Sequence, residues 1–167
     1  MLAFILEMKI LIVDDDESLV TVYSTALKKE GFEIITAVNG QQGLEKAKEP
    51  GIDLILLDQV LPDISGNEIL KTLKQDAQTK EIPVMILSNF SQEELVKQAV
   101  DEGAVDYVFK YQVELSDIIK KVKDVLSQPK SNPEPTEISS DSNGINTAGD
   151  GINPASSGVK EESNANE

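Results

Sequence analysis

The sequence predicts an α/β fold: a doubly wound, five-stranded parallel sheet with helices on both faces. Two observations lead to this class. Short apolar runs of strand length alternate five times with amphipathic helical stretches over residues 8–128. Connected strand-then-helix units of this size return the chain to the same edge of one sheet. A third observation concerns function: charged residues directly follow several of the apolar runs, at the sheet edge where open α/β folds bind ligands.

The first strand falls near 8–13, around Ile10-Leu11-Ile12-Val13, and Asp14, Asp15 and Asp16 follow it. A helix near 17–30 begins with Ser18-Leu19-Val20, which makes Asp16 the natural cap of its exposed N–H groups. Gly31, after Lys28-Lys29-Glu30, suits the left-handed position that ends a helix. The second strand lies near 32–37 and its helix near 40–49. The third, Ile52-Asp53-Leu54-Ile55-Leu56-Leu57, has the content of a buried parallel strand. Asp58 comes next, then a loop punctuated by Pro62 and Gly66, then a helix near 66–75.

The fourth strand, near 82–87, delivers Ser88. Ser91-Gln92-Glu93-Glu94 reads as a capping box opening a helix over 91–102, with Leu95, Val96, Ala99 and Val100 buried and Gly103 closing it. The fifth strand, near 105–109, delivers Lys110. The last helix, near 114–127, aligns Leu115, Ile118, Ile119, Val122, Val125 and Leu126 on one apolar stripe.

Composition excludes several chemistries. With no Cys and no His, the chain has no disulfides, thiol nucleophiles or histidine bases. Any metal must be held by oxygen, which favours Mg²⁺, Mn²⁺ or Ca²⁺. The 15 basic residues are all Lys and face 30 acids, a net charge of −15. Residues 1–129 hold 13 Lys against 23 acids, and no basic stripe is visible, so nucleic-acid binding is not expected. The apolar opening Met1–Leu6 is too short to span a membrane and lacks a basic leader. A cytoplasmic location without membrane insertion is therefore expected, and residues 1–7 read as an extension ahead of a natural start at Met8.

The composition shifts at Pro129. Beyond it the chain has no aromatic residue and few large aliphatics among many Ser, Asn, Gly and Glu. Such a segment cannot bury enough apolar surface to offset its ordering entropy, so 129–167 reads as a disordered acidic tail.

Taken singly, the polar residues at the strand ends have plain structural readings. Asp58 could initiate a turn, Lys110 could be a solvated strand-end lysine, and Ser88 a small residue entering a loop. Together they converge on one sheet edge. One helix cap does not need three acids, and adjacent carboxylates repel unless a cation or water separates them. Acids and an ammonium arriving from three strand ends point to a phosphate and divalent-metal site.

With those residues in view, 8–127 resembles a response-regulator receiver domain. The matching text is Ile-Leu-Ile-Val-Asp14-Asp15, Leu-Ile-Leu-Leu-Asp58-x-x-Leu-Pro-Asp-x-x-Gly66, Ile-Leu-Ser88 and Tyr107-Val-Phe-Lys110. Spacings of 43, 30 and 22 residues separate Asp15, Asp58, Ser88 and Lys110. The resemblance implies a flavodoxin-like sheet in strand order 2-1-3-4-5. It implies that Asp58 accepts a phosphoryl group from a phosphohistidine on a sensor histidine kinase or a histidine phosphotransfer protein. It further implies Mg²⁺ held by Asp15 directly, Asp14 mainly through water, Asp58, and the Val60 carbonyl. Lys110 would pair with one phosphoryl oxygen and the Ser88 hydroxyl with another. Ser88 and Tyr107 would form the switch, and the fourth helix, fifth strand and fifth helix the docking face for a downstream effector.

The chain departs from the family at several positions. Tyr111-Gln112 follows Lys110 where members usually have Pro, and Ser88 replaces the commoner threonine. Val60 and Phe90 are apolar at positions that control water access to the acyl phosphate, which predicts slow autodephosphorylation. The tail is too polar to be a DNA-binding domain, so a stand-alone receiver is expected. Two other readings compete. Asp14-x-Asp16-x-Ser18 also resembles the opening motif of haloacid-dehalogenase phosphatases, with Asp14 as nucleophile, but no acidic pair follows Ser88-Asn89-Phe90-Ser91. A pseudo-receiver that never carries phosphate is the other, and retention of all five site residues argues against it.

Overall fold

The computed structural model describes residues 7–129. The expectations for the N-terminal extension, save Glu7, and for the acidic tail lie outside the described residues. Ten elements alternate: β1 (Lys9–Val13), α1 (Glu17–Lys29), β2 (Glu33–Ala37), α2 (Gly40–Ala47), β3 (Ile52–Asp58), α3 (Gly66–Gln75), β4 (Val84–Ser88), α4 (Glu93–Asp101), β5 (Asp106–Phe109) and α5 (Leu115–Ser127). The strands form one parallel sheet in the order β2-β1-β3-β4-β5, as expected.

Strand alternation divides the core into two layers. Leu11, Val13, Ile55 and Leu57 face Ile69, Leu70 and Leu73 of α3 and Ala99 of α4. Ile10, Ile12, Leu54 and Leu56 face Tyr23 and Leu27 of α1 and Ile118 and Val122 of α5. The β3 residues from Leu54 to Leu57 are wholly buried, which is why this strand reads as a continuous apolar run. Each such side chain contributes about 1.5–3 kcal/mol by leaving water. Asp53, the polar residue within it, accepts a hydrogen bond from the Lys9 amide at 2.9 Å.

Helix borders follow local chemistry. Asp16 caps α1, accepting from the amides of Ser18 and Leu19 at 3.0 and 3.2 Å. Gly31 (φ +94°) ends α1 in the left-handed region and donates to the Lys28 carbonyl. Ser65 and Glu68 form a reciprocal capping box at the start of α3. α4 departs from expectation. Its N-cap is Gln92, with no side-chain cap hydrogen bond, so Ser91-Gln92-Glu93-Glu94 is not a capping box. Val100 is 61% exposed rather than buried, because α4 turns only a narrow stripe centred on Ala99 toward the sheet and the next residue lies about 100° around the helix. β4 begins at Val84 instead of 82, since Pro83 has no N–H to donate to the sheet.

Candidate functional site

Register brings the polar residues to one edge. Val13 pairs with Leu57, Asp58 with Leu87, and Ser88 with Phe109, so Asp14, Asp58, Ser88 and Lys110 follow or end adjacent strands at the same level. The ladder continues into the loops: the Gln59 amide donates to the Leu87 carbonyl and the Lys110 amide to that of Ser88. Asp14, Asp58 and Lys110 line an open cleft of about 320 Å³ at this edge, next to the buried Ser88.

Carboxylate oxygens of Asp14, Asp15 and Asp58 lie within 4.8 Å of one another. Asp14 and Asp58 are buried, whereas Asp15 faces solvent. The Lys110 ammonium spans the two buried acids, 2.7 Å from Asp14 Oδ2 and 3.3 Å from Asp58 Oδ2. Such a pair is held together because removing either partner would leave an uncompensated buried charge. Burial pushes the Asp58 carboxyl up to about 6; Lys110 counteracts this and Asp14 adds to it. Burial also opposes the Lys110 ammonium, yet the hydrogen bond to Asp14 and the charges of Asp58 and Asp14 outweigh it and raise its pKa.

Asp14 Oδ1 accepts from the Asp16 amide at 2.9 Å, fixing the triplet's turn. Asp58 Oδ1 faces the Val60 amide at 3.4 Å. Gly66 allows this loop to close: its amide donates to the Gln59 carbonyl at 2.8 Å, and a Cβ there would fall 2.6 Å from the Asp58 carbonyl oxygen. The buried Ser88 hydroxyl accepts from the Phe90 amide at 2.9 Å, while the Tyr107 hydroxyl donates to the Phe90 carbonyl at 3.1 Å. Val60 and Phe90 are about half exposed and flank the cleft.

Asp14, Asp15, Asp58, Val60 and Lys110 therefore line one cleft, Ser88 and Tyr107 adjoin it through their bonds to Phe90, and Asp16 separates from the acidic cluster to serve as a cap. Three further residues were not anticipated. Asn89 lines the cleft as the residue after β4, a position its strand-end location alone could have signalled. Tyr23, one α1 turn before Leu27, is buried; burial raises its pKa, the Lys110 charge opposes this, and the charges of Asp14, Asp58 and Asp16 add to it. Asn67, buried at the start of α3, donates to the Leu95 carbonyl and to Gln98 of α4. No local pattern in the sequence marks that last contact.

The donor set fits a hard divalent cation. It is all oxygen, clustered from two strand ends, and one acid is open to solvent, as a partly hydrated Mg²⁺ requires.

Comparison with known proteins agrees with this geometry. The family model for the response regulator receiver domain matches residues 10–123. The chain is 39% identical over 102 residues to the alkaline phosphatase synthesis transcriptional regulatory protein PhoP of Bacillus subtilis, covering 61% of this chain and 42% of that protein. The chain spans about half the length of the curated relatives it matches. Among solved structures, a CheY-like receiver domain protein from Methanospirillum hungatei superposes with a TM-score of 0.66 at 29% identity, covering 71% of this chain and 92% of that one. The BeF3-activated receiver domain of DrrB gives 0.64 at 30% identity, covering 72% and 98%. In sequence, topology and the convergence of its strand ends, this chain belongs to the response-regulator receiver family of two-component systems.

Proposed function

We propose that Asp58 is the phosphoacceptor and that the domain converts its phosphorylation into a change of docking face. The observation that carries this reading is the Lys110 ammonium spanning Asp14 and Asp58 inside a cluster of three carboxylates. A carboxylate oxygen of Asp58 attacks phosphorus in line; the new O–P bond forms as the P–N bond of a phosphohistidine breaks, and the imidazole keeps the electron pair. Little covalent chemistry falls to the protein, so positioning and electrostatics dominate. Asp14, Asp15, Asp58 and the Val60 carbonyl would hold Mg²⁺, which when bound neutralises charge on the phosphoryl oxygens. Lys110 exchanges carboxylate contact for a phosphoryl oxygen, as a point charge. The Ser88 hydroxyl, now an acceptor for Phe90, rotates to donate to another.

The acyl phosphate carries nearly two negative charges where the carboxylate carried one, and it adds phosphoryl acceptor oxygens at the end of β3. Ser88 and Tyr107 both bond Phe90, which supports their role as the switch connecting the site to α4, β5 and α5. That face presents Phe109 and Tyr111, with ring centroids 6.2 Å apart, together with exposed Val100 and Val105. We read it as the surface for an effector protein, with a histidine kinase or phosphotransfer protein as donor. A net charge of −10 over residues 1–129 favours protein over nucleic-acid contact by the receiver itself. Among the described residues no helix is long and apolar enough to cross a membrane.

The test is incubation with Mg²⁺ and a small phosphodonor, followed by intact mass and peptide mapping. The expected result is one phosphoryl group on Asp58, absent from Asp58→Ala. Phosphate on Asp14 would favour the haloacid-dehalogenase-like reading. A wild-type protein that stays unmodified would favour a pseudo-receiver.

A further inference from the structure

The loop that carries Val60 is tied to a helix from a different part of the fold. Residues 59–65 connect β3 to α3, and the Asp63 carboxylate reaches out of this loop to the first turn of α2. Its Oδ1 accepts from the Gly40 amide at 2.7 Å and from the Ile64 amide at 2.9 Å; its Oδ2 accepts from the Gln41 amide at 2.9 Å. The first amides of a helix have no partner inside it and carry its positive end. In α2 the cap residue Asn39 takes the Gln42 amide, and Asp63, more than twenty positions along the chain, takes the two before it. These hydrogen bonds from Gln41 and Gly40 hold the Asp63 pKa below the ordinary carboxylate value.

The helix end is a firm anchor. A Cβ at Gly43 would meet Val13 Cγ1 at 2.8 Å, so α2 lies flush on β1 just before Asp14. A Cβ at Gly40 would meet Ile69 Cδ1 at 2.7 Å and Asp63 Oδ1 at 3.1 Å, so the helix start abuts both α3 and the loop. At its other end the loop touches the site directly, through the Val60 amide and Asp58 Oδ1.

We infer that Asp63 is a positioning residue for the phosphoryl and metal site: it clamps the β3–α3 loop to α2 and so fixes Val60 relative to Asp58. This rests on the reading of the cleft as a Mg²⁺-dependent phosphoacceptor site. Asp63 touches neither the phosphoryl group nor the cation, and acts only through the loop.

The experiment is a Mg²⁺ titration of the full chain followed by the amide NMR shifts of Asp15, Asp58 and Val60, for wild type, Asp63→Ala, Asp63→Asn and Gly40→Ala. Loss of a residue that orients a ligand weakens metal affinity by about 10-fold or more. Asp63→Ala should show that loss, Asp63→Asn should recover part of it by keeping one acceptor oxygen, and Gly40→Ala should weaken binding by displacing the clamp with the carboxylate intact. A purely structural cap would lower the melting temperature of Asp63→Ala and leave its Mg²⁺ affinity at the wild-type value; that result overturns the clamp. Should Asp63→Ala fail to fold, equal affinities of Asp63→Asn, Gly40→Ala and wild type overturn it as well. Wild-type protein that takes up no Mg²⁺ would refute the site reading and the clamp together, whereas wild-type binding with unchanged variants refutes the clamp alone.

Discussion

Replacing Asp58 with Asn should stabilise the metal-free protein, by an amount set by pH. Burial raises the Asp58 carboxyl from 3.8 to about 6, so the folded chain holds its proton more tightly than the unfolded chain does. Below about pH 4 both states are protonated and Asp58 has no effect on stability. From about pH 4 to pH 6 the unfolded chain ionises first, and folding weakens as pH rises. Above about pH 6 the penalty is complete. A rise of roughly two units at about 1.36 kcal/mol each amounts to about 3 kcal/mol. Asp58 is 9% exposed but borders an open cleft, so solvent screening trims this toward about 2 kcal/mol. Asn has the same shape without the charge and escapes the penalty. Urea unfolding in EDTA should show Asp58→Asn about 2–3 kcal/mol more stable at about pH 8, with the gap roughly halved at about pH 5. Excess Mg²⁺ should close the gap by stabilising the wild type alone. Equal stability at the higher pH, or a gain of the same size at both, would refute the reasoning.

Lys110→Met should act in the opposite direction, because it strips the counter-ion from two buried acids; we expect a loss of about 3–5 kcal/mol in the same unfolding assay, partly relieved by adding Asp58→Asn. Val60→Asn should shorten the lifetime of the acyl phosphate severalfold in a mass-spectrometric time course, since an amide at this half-exposed position can hold the attacking water that valine does not. Asn67→Ala should cost about 1–2 kcal/mol by removing the bonds to Leu95 and Gln98, with faster amide exchange concentrated in α4 and phosphorylation of Asp58 retained.

Much of the site was legible because a parallel sheet turns position along the chain into position in space. Once Ile10–Val13, Ile52–Leu57, Val84–Leu87 and Val105–Phe109 read as neighbouring strands, the residues following them had to meet. Pattern alone did not separate the acids of the triplet by role; capping chemistry did, assigning Asp16 to α1. Less visible were features decided between distant segments. The bond from Asp63 to α2 and that from Asn67 to α4 depend on how helices settle against loops, and neither leaves a periodic trace. Val100 shows the same limit: helical spacing named an apolar face, but the width of the face that α4 buries was set by its neighbours.

The Phe90 main chain connects Ser88, at the end of β4, with Tyr107 on β5. Ser88 grips its amide and Tyr107 its carbonyl, so a tug on one hydroxyl is felt by the other across a single residue. The half-exposed ring, which flanks the cleft, takes part in neither bond. If Asp58 is phosphorylated as proposed, relay would run through two peptide groups and not through the side chain between them.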